Sequence, residues 1–215
     1  MRIAVYSGSF DPLHIGHQAI MEFLTRSCSF DWVYLVISPQ TPFKDPSKAL
    51  NAEHRYRAAI DAVRRHPELR VWVDDIELKM DPPHYTIRTL DALRQREPGN
   101  EFTLVIGADN LQSFLGWRDA PRILTEYGVA VYPRSGFDVE AIRSFLYGKM
   151  LELPSPYTLD ASSEHDTPGT LGFEDAEHLY KIEILDAPIV DISSTRIREG
   201  LAAGEDMSAW MMLPI

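Results

Sequence analysis

Short apolar runs, each stopped by Gly, Ser or Pro, alternate along this chain with longer stretches whose apolar positions recur every three to four residues. Ile3–Tyr6 is the first run and ends at Ser7-Gly8. Brevity, continuous apolarity and a turn signal at its end predict a buried strand. Ile15, Ala19, Ile20, Phe23 and Leu24 then mark one face of a helix. Trp32–Ile37 repeats the strand pattern and gives way at Ser38-Pro39 to a Pro- and Lys-rich loop reaching Ser47. Asn51 is placed to cap a helix through about Arg65, with Ala58, Ala59, Ala62 and Val63 inward. Val71–Val73 and Ile76–Leu78 alternate like short strand pieces, and Thr86–Arg94 has helical spacing. Phe102–Ile106 and Val129–Tyr132 are two more buried runs, Val139–Leu146 is helical, and Ile182–Leu185 is the last strand.

Alternating strands and helices predict an α/β fold, a Rossmann-like parallel sheet with helices on both faces. Ligands bind such sheets at the carboxyl ends of the strands. The loops after Tyr6, Ile37, Ile106 and Tyr132 are therefore where chemistry is expected. The 215 residues suit one domain, 1–215. Within it, about 153–187 is strongly acidic and turn-rich, as at Asp166-Thr167-Pro168-Gly169, and reads as a surface insertion.

Composition narrows the partners. Net charge is −11, from 32 acidic and 21 basic residues. Such a chain repels polyanions, which argues against nucleic acid or a membrane surface as partner. A small phosphate ligand needs only a few local donors. No apolar run reaches the roughly 18 residues of a membrane span, and the N-terminus lacks a signal-peptide pattern; a cytoplasmic enzyme is expected. The single cysteine, Cys28, excludes an internal disulfide and a Cys-based zinc site, and reads as packing at a helix end. A homo-oligomer is compatible with the sequence.

The candidate chemistry starts in the first strand–helix turn, Ser7-Gly8-Ser9-Phe10-Asp11-Pro12-Leu13-His14-Ile15-Gly16-His17. Gly8 removes a side chain where backbone must approach a ligand. His14 and His17 are three apart at the helix start, so both imidazoles share one face near the positive end of the helix dipole. Two ring donors and free backbone N–H groups there suit a polyphosphate. Taken alone, such a histidine pair is more often packing or surface; no further cluster completes a metal site, so no protein-held metal is expected. Near the C-terminus, Ser193 or Ser194 is a good N-cap in Ile192-Ser193-Ser194-Thr195-Arg196-Ile197-Arg198. Its hydroxyls, with Arg196 in the first turn, can cradle a second phosphate. Between these strings lie Gly107-Ala108-Asp109 after the central strand, Trp117 with a flat face for stacking, and Tyr85-Thr86 opening a helix whose N–H groups can meet an anion. No G-x-G-x-x-G follows the first strand, against a dinucleotide-binding oxidoreductase.

The first string resembles the signature of the HxGH nucleotidyltransferase superfamily, G-[ST]-F-[DN]-P-x-H-x-G-H, at every position. The second is similar to that superfamily's ISSTxIR. The resemblance implies that His14, His17 and Arg196 are catalytic and hold the phosphates of ATP. It implies ATP binding by Gly8, Ser9, Phe10, Gly107, Asp109, Ser193, Ser194 and Thr195 as well. The Tyr-Thr, Thr-Leu, Gly-Ala-Asp and Trp pattern looks like the bacterial nicotinate-nucleotide adenylyltransferases. In that family the Tyr-Thr turn binds the nicotinate carboxylate and the Trp stacks on the pyridine, which implies acceptor roles for Tyr85, Thr86 and Trp117. Lys44 and Arg134 are weaker carry-overs: the loop reads Thr41-Pro42-Phe43-Lys44 and the later turn Arg134-Ser135-Gly136, each departing from the family's string. The implied partners are ATP, bringing Mg2+, and nicotinate mononucleotide. The rivals are another HxGH enzyme, such as phosphopantetheine adenylyltransferase or a cytidylyltransferase, and a non-catalytic nucleotide sensor.

Overall fold

Six of the apolar runs pair side by side, every neighbour parallel, in the order β3-β2-β1-β4-β5-β6. The strands are β1 (Arg2–Gly8), β2 (Trp32–Ile37), β3 (Val71–Asp74), β4 (Glu101–Gly107), β5 (Val129–Tyr132) and β6 (Ile182–Ile184). The computed structural model describes residues 1–39, 52–111, 113–151 and 180–212. Lys44, and the part of the acidic stretch from 153 to 179, lie outside them.

Period-two alternation splits the central strands between two cores. Ile3 and Val5 of β1 face one core with Leu104 and Ile106; Ala4 and Tyr6 face the other with Val33, Leu35 and Ile37. The second core is covered by α1 (Ile15–Arg26) and α2 (Ala52–Arg64). The first is covered by α3 (Thr86–Arg96), α4 (Ala108–Leu111), α5 (Ala120–Arg122, continued by a π-helical turn Ile123–Tyr127) and α6 (Val139–Leu151). The last helix, α7 (Ser194–Ala202), packs Ile197 with Ile192, Met207 and Ile15, and so docks on the start of α1.

Three readings change. Ile76–Leu78 is not a strand piece: Ile76–Lys79 is a 3-10 turn, and Asp74 Oδ1 accepts from the Ile76 N–H at 2.9 Å. On α2, Ala58 is exposed and Arg55 is buried, so the inward stripe is Arg55, Ala59, Ala62. The stretch 108–127, unassigned from periodicity, is built of short helical turns whose Leu111, Phe114, Ile123 and Leu124 are fully buried. These are one-turn pieces, too short to establish a period. Cys28 is half-buried against the second core.

Candidate active site

Strand order reverses at β1, with β2 on one side and β4 on the other, and a crevice is expected at the carboxyl ends there. A cavity of about 630 Å³ occupies that position. His14, His17, Asp109, Arg134, Ser193 and Arg196 line it. The two ends of the chain thus meet around one cavity. Helix α7 is held there partly by Ser194 Oγ, which donates to the Pro12 carbonyl at 3.0 Å.

The histidine loop is built under constraint. Phe10 takes a left-handed backbone, φ 45°, costly for an aromatic residue. Its ring is held edge-on between Tyr6 and His17, with centroids 5.1 and 5.0 Å away. A Cβ on Gly8 would sit 3.1 Å from that ring. The buried guanidinium of Arg55 braces the loop from behind by donating to the Ser9 carbonyl at 2.5 Å and the Ser38 carbonyl at 2.9 Å. Sequence reading passed over Arg55, although a charged residue in line with Ala59 and Ala62 is a legible anomaly.

The imidazoles of His14 and His17 stack, 3.6 Å between centroids. The His14 backbone N–H donates to His17 Nδ1 at 3.2 Å. A ring accepting at Nδ1 carries its proton on Nε2, so neutral His17 is a donor there. A Cβ on Gly16 would meet His14 at 3.0 Å, which accounts for a glycine between the two histidines. Gly107 serves the same end, since a Cβ there would collide with Asp109 Oδ1 at 2.3 Å. A side chain there would have to displace that carboxylate.

Two buried side-chain nitrogens have no hydrogen-bond partner among the described residues: His14 Nδ1 and Arg134 Nε. Both residues line the cavity. Arg134 lies over the Tyr132 ring, donates to its hydroxyl at 3.1 Å and stands 3.6 Å from Asp109. That Asp109 contact is an ion pair of the same Nε, which leaves His14 Nδ1 as the unpaired atom; such a buried polar atom is costly and points to a polar ligand.

The two arginines of α7 part company. Arg196 is about half exposed, and its Nη2 donates to Glu205 at 2.6 Å. Arg198, also exposed, donates to the Asp11 carbonyl at 2.5 Å and to Thr195 Oγ1 at 3.1 Å, tying α7 to the histidine loop. In the ISSTxIR pattern the specified arginine is Arg198, and Arg196 falls on the variable position. Ser193 is the N-cap of α7, accepting from the Arg196 N–H at 3.1 Å.

Tyr85, Thr86 and Trp117 do not line this cavity. Tyr85 is exposed and is the N-cap of α3, with no side-chain hydrogen bond closing the helix end. Trp117 is half-buried, packed on Phe114 at 5.2 Å.

The cytidylyltransferase-like family model matches residues 5–200. Two relatives named "Probable nicotinate-nucleotide adenylyltransferase" are each 34% identical to the chain. The one from Bacteroides fragilis is matched over 96% of this chain and 85% of its own. The one from Porphyromonas gingivalis is matched over 100% and 91%. This chain belongs to the nicotinate-nucleotide adenylyltransferase family. The Plasmodium falciparum nicotinic acid mononucleotide adenylyltransferase, solved in complex with NaAD, shares the fold at a TM-score of 0.71 and 16% identity, over 98% of this chain and 90% of that one. Among the described residues no helix is long and apolar enough to cross a membrane.

The resting histidines are hard to charge. Burial first and Arg134 second push His14 down to about 4. Burial, then His14 and Arg134, hold His17 well below the ordinary histidine range. An unfolded chain protonates such rings near pH 6.5, whereas folded His14 does so only near pH 4. Between these values the unfolded state binds the extra proton. Stability is therefore complete above about pH 6.5 and declines as pH falls toward 4, by roughly 3 kcal/mol for His14. The urea midpoint is expected to drop across this window, and to drop less in His14→Asn; equal slopes in the two proteins would contradict it.

Proposed function

We propose that this chain transfers the adenylyl group of ATP to the 5′-phosphate of nicotinate mononucleotide, releasing pyrophosphate and forming deamido-NAD. The observation that carries the reading is the pair of stacked histidines, one with a buried unpartnered nitrogen, sharing a cavity with Arg134, Arg196 and the start of α7. Family membership supplies the acceptor.

The attacking phosphate oxygen is already an anion, so the step needs no general base. The oxygen forms a bond to the α-phosphorus, and the bond to the β-phosphate bridging oxygen breaks in line. Catalysis is then positioning plus offset of charge. His14 meets the α-phosphate region, and the Nε2–H of His17 donates to the oxygens of the leaving pyrophosphate. Ser193, Ser194 and Thr195, with the open N–H groups of α7, cradle the outer phosphates. Arg196 reaches them on leaving Glu205, while Arg198 keeps α7 and the histidine loop at a fixed separation. Asp109 is placed to accept from ribose hydroxyls. Mg2+ would arrive with the ATP substrate and would offset phosphate charge. Tyr85, Thr86 and Trp117, together with Lys44, receive the acceptor. Small-molecule substrates of this kind are compatible with a chain of net charge −11 because donors are concentrated at one cavity.

The test is product formation from matched pairs of substrates. ATP with nicotinate mononucleotide is expected to give dinucleotide and stoichiometric pyrophosphate. CTP in place of ATP, or phosphopantetheine in place of the mononucleotide, is expected to give neither. Nucleotide binding by calorimetry with no turnover on any acceptor would replace the enzyme with a sensor.

A further inference from the structure

Glu77 lies in the 3-10 turn that follows β3 and is only 2% exposed. Its carboxylate receives three hydroxyls. Thr89 Oγ1 donates to Oε1 at 2.8 Å, Ser7 Oγ donates to the same oxygen at 3.3 Å, and Ser38 Oγ donates to Oε2. None of the ion pairs among the described residues includes it, so hydroxyl donors alone hold a buried carboxylate. Burying a carboxyl group without a cation is expensive. An arrangement that satisfies it with three convergent hydroxyls fixes the position of each donor.

The three donors come from three separate segments: the end of β1, the residue after β2, and α3. Ser7 immediately precedes Gly8 and the histidine loop. Ser38 follows β2, where its N–H bonds the Gly8 carbonyl at 2.9 Å. Thr89 is on α3, and its own N–H points back to the Tyr85 carbonyl at 3.3 Å. The Glu77–Thr89 bond therefore closes the connection from the 3-10 turn to α3, the segment that carries Tyr85 and Thr86.

We propose that Glu77 is a positioning residue that sets the acceptor-binding start of α3 against the nucleotide-binding end of β1, and so fixes how the two substrate anions face each other. The inference rests on the adenylyltransferase reading above. In-line transfer is sensitive to misplacement: about 1 Å can cost a hundredfold. A buried tie between the two half-sites is where such an error would be prevented. Glu77 acts through Thr89 and Ser7 and touches neither substrate.

Thr89→Val removes one hydroxyl and keeps the shape. It is expected to lower kcat/KM for nicotinate mononucleotide about tenfold while KM for ATP changes less than twofold. Thr89→Ser, which restores the hydroxyl, is expected to recover wild-type values. Glu77→Ala loosens all three ties and is expected to cost about a hundredfold in kcat, counted per folded molecule. If Glu77→Ala does not fold, the Thr89 pair still decides. An unchanged acceptor KM and kcat in Thr89→Val, or equal losses for both substrates that follow only the folded fraction, would overturn the proposal. Absence of dinucleotide from the wild-type protein would instead overturn the functional reading on which it stands.

Discussion

His17→Ala is expected to lower turnover by about a hundredfold to a thousandfold, the usual cost of deleting one donor aimed at developing charge. His17 is 8% exposed. Nδ1 accepts from the His14 backbone N–H at 3.2 Å, which leaves Nε2–H as the donor. Protonating the ring would forfeit that acceptor, in keeping with the downward displacement caused by burial and by His14. On the proposed mechanism His17 serves as a neutral donor rather than a titrating acid. Two conservative variants separate its tasks. Asparagine places an oxygen near Nδ1 and can still accept from His14, so His17→Asn is expected to fold well and to be as slow as the alanine variant. Glutamine places an amide near Nε2, so His17→Gln is expected to retain part of the rate with a poorer helix start. The measurement is single-turnover pyrophosphate release at saturating substrates, read beside the urea midpoint. Near-normal rates in folded His17→Ala or His17→Asn would remove this ring from the mechanism.

The same residues show what a sequence can disclose. The strand runs were legible because burial on both faces makes them apolar throughout, and β2 and β5 match their predicted bounds. The histidine and serine strings were legible because each is a run of consecutive residues at a helix start, α1 and α7. What escaped was anything assembled from distant segments. Glu77 sits in an alternating stretch that imitates a strand, and only the fold brings Ser7, Ser38 and Thr89 to it. Arg55 was hidden by its surface-type chemistry, and Tyr6 and Tyr132, whose hydroxyls lie 3.3 Å apart under the histidines, by their resemblance to ordinary core residues. Arg196 was favoured over Arg198 because it lies nearer the helix start. Side-chain direction reverses that ranking for the histidine loop: Arg196 runs outward to Glu205, and Arg198 reaches Asp11. The packing of Asp109 and Tyr132 against Gly107 is likewise visible only in the fold.

Nicotinamide mononucleotide is expected to be a poorer acceptor than nicotinate mononucleotide by about a hundredfold in kcat/KM. The two differ by a carboxylate against a carboxamide, far from the reacting phosphate, so the discrimination must come from what meets that group. Helix α3 begins at Tyr85 with extended backbone, φ −78° and ψ 136°, and no side chain closes its end. Its first-turn N–H groups are therefore donors with the helix dipole behind them. A carboxylate accepts with both oxygens and gains from the positive end. A carboxamide accepts with one oxygen and turns an NH₂ toward the other donor, losing the charge as well as one bond. A hydrogen bond to a charged group contributes about 1.5–3 kcal/mol and the dipole about 0.3–1 kcal/mol at an exposed site, which together span roughly twentyfold to several hundredfold. Because Tyr85 is 38% exposed, the dipole share is screened by salt. Raising the ionic strength should shrink the preference by a few fold and leave most of it intact. Initial rates with each acceptor over a range of concentrations give the ratio. Equal specificity constants would place acceptor recognition somewhere other than the start of α3, because two free N–H donors cannot treat an anion and a neutral amide alike.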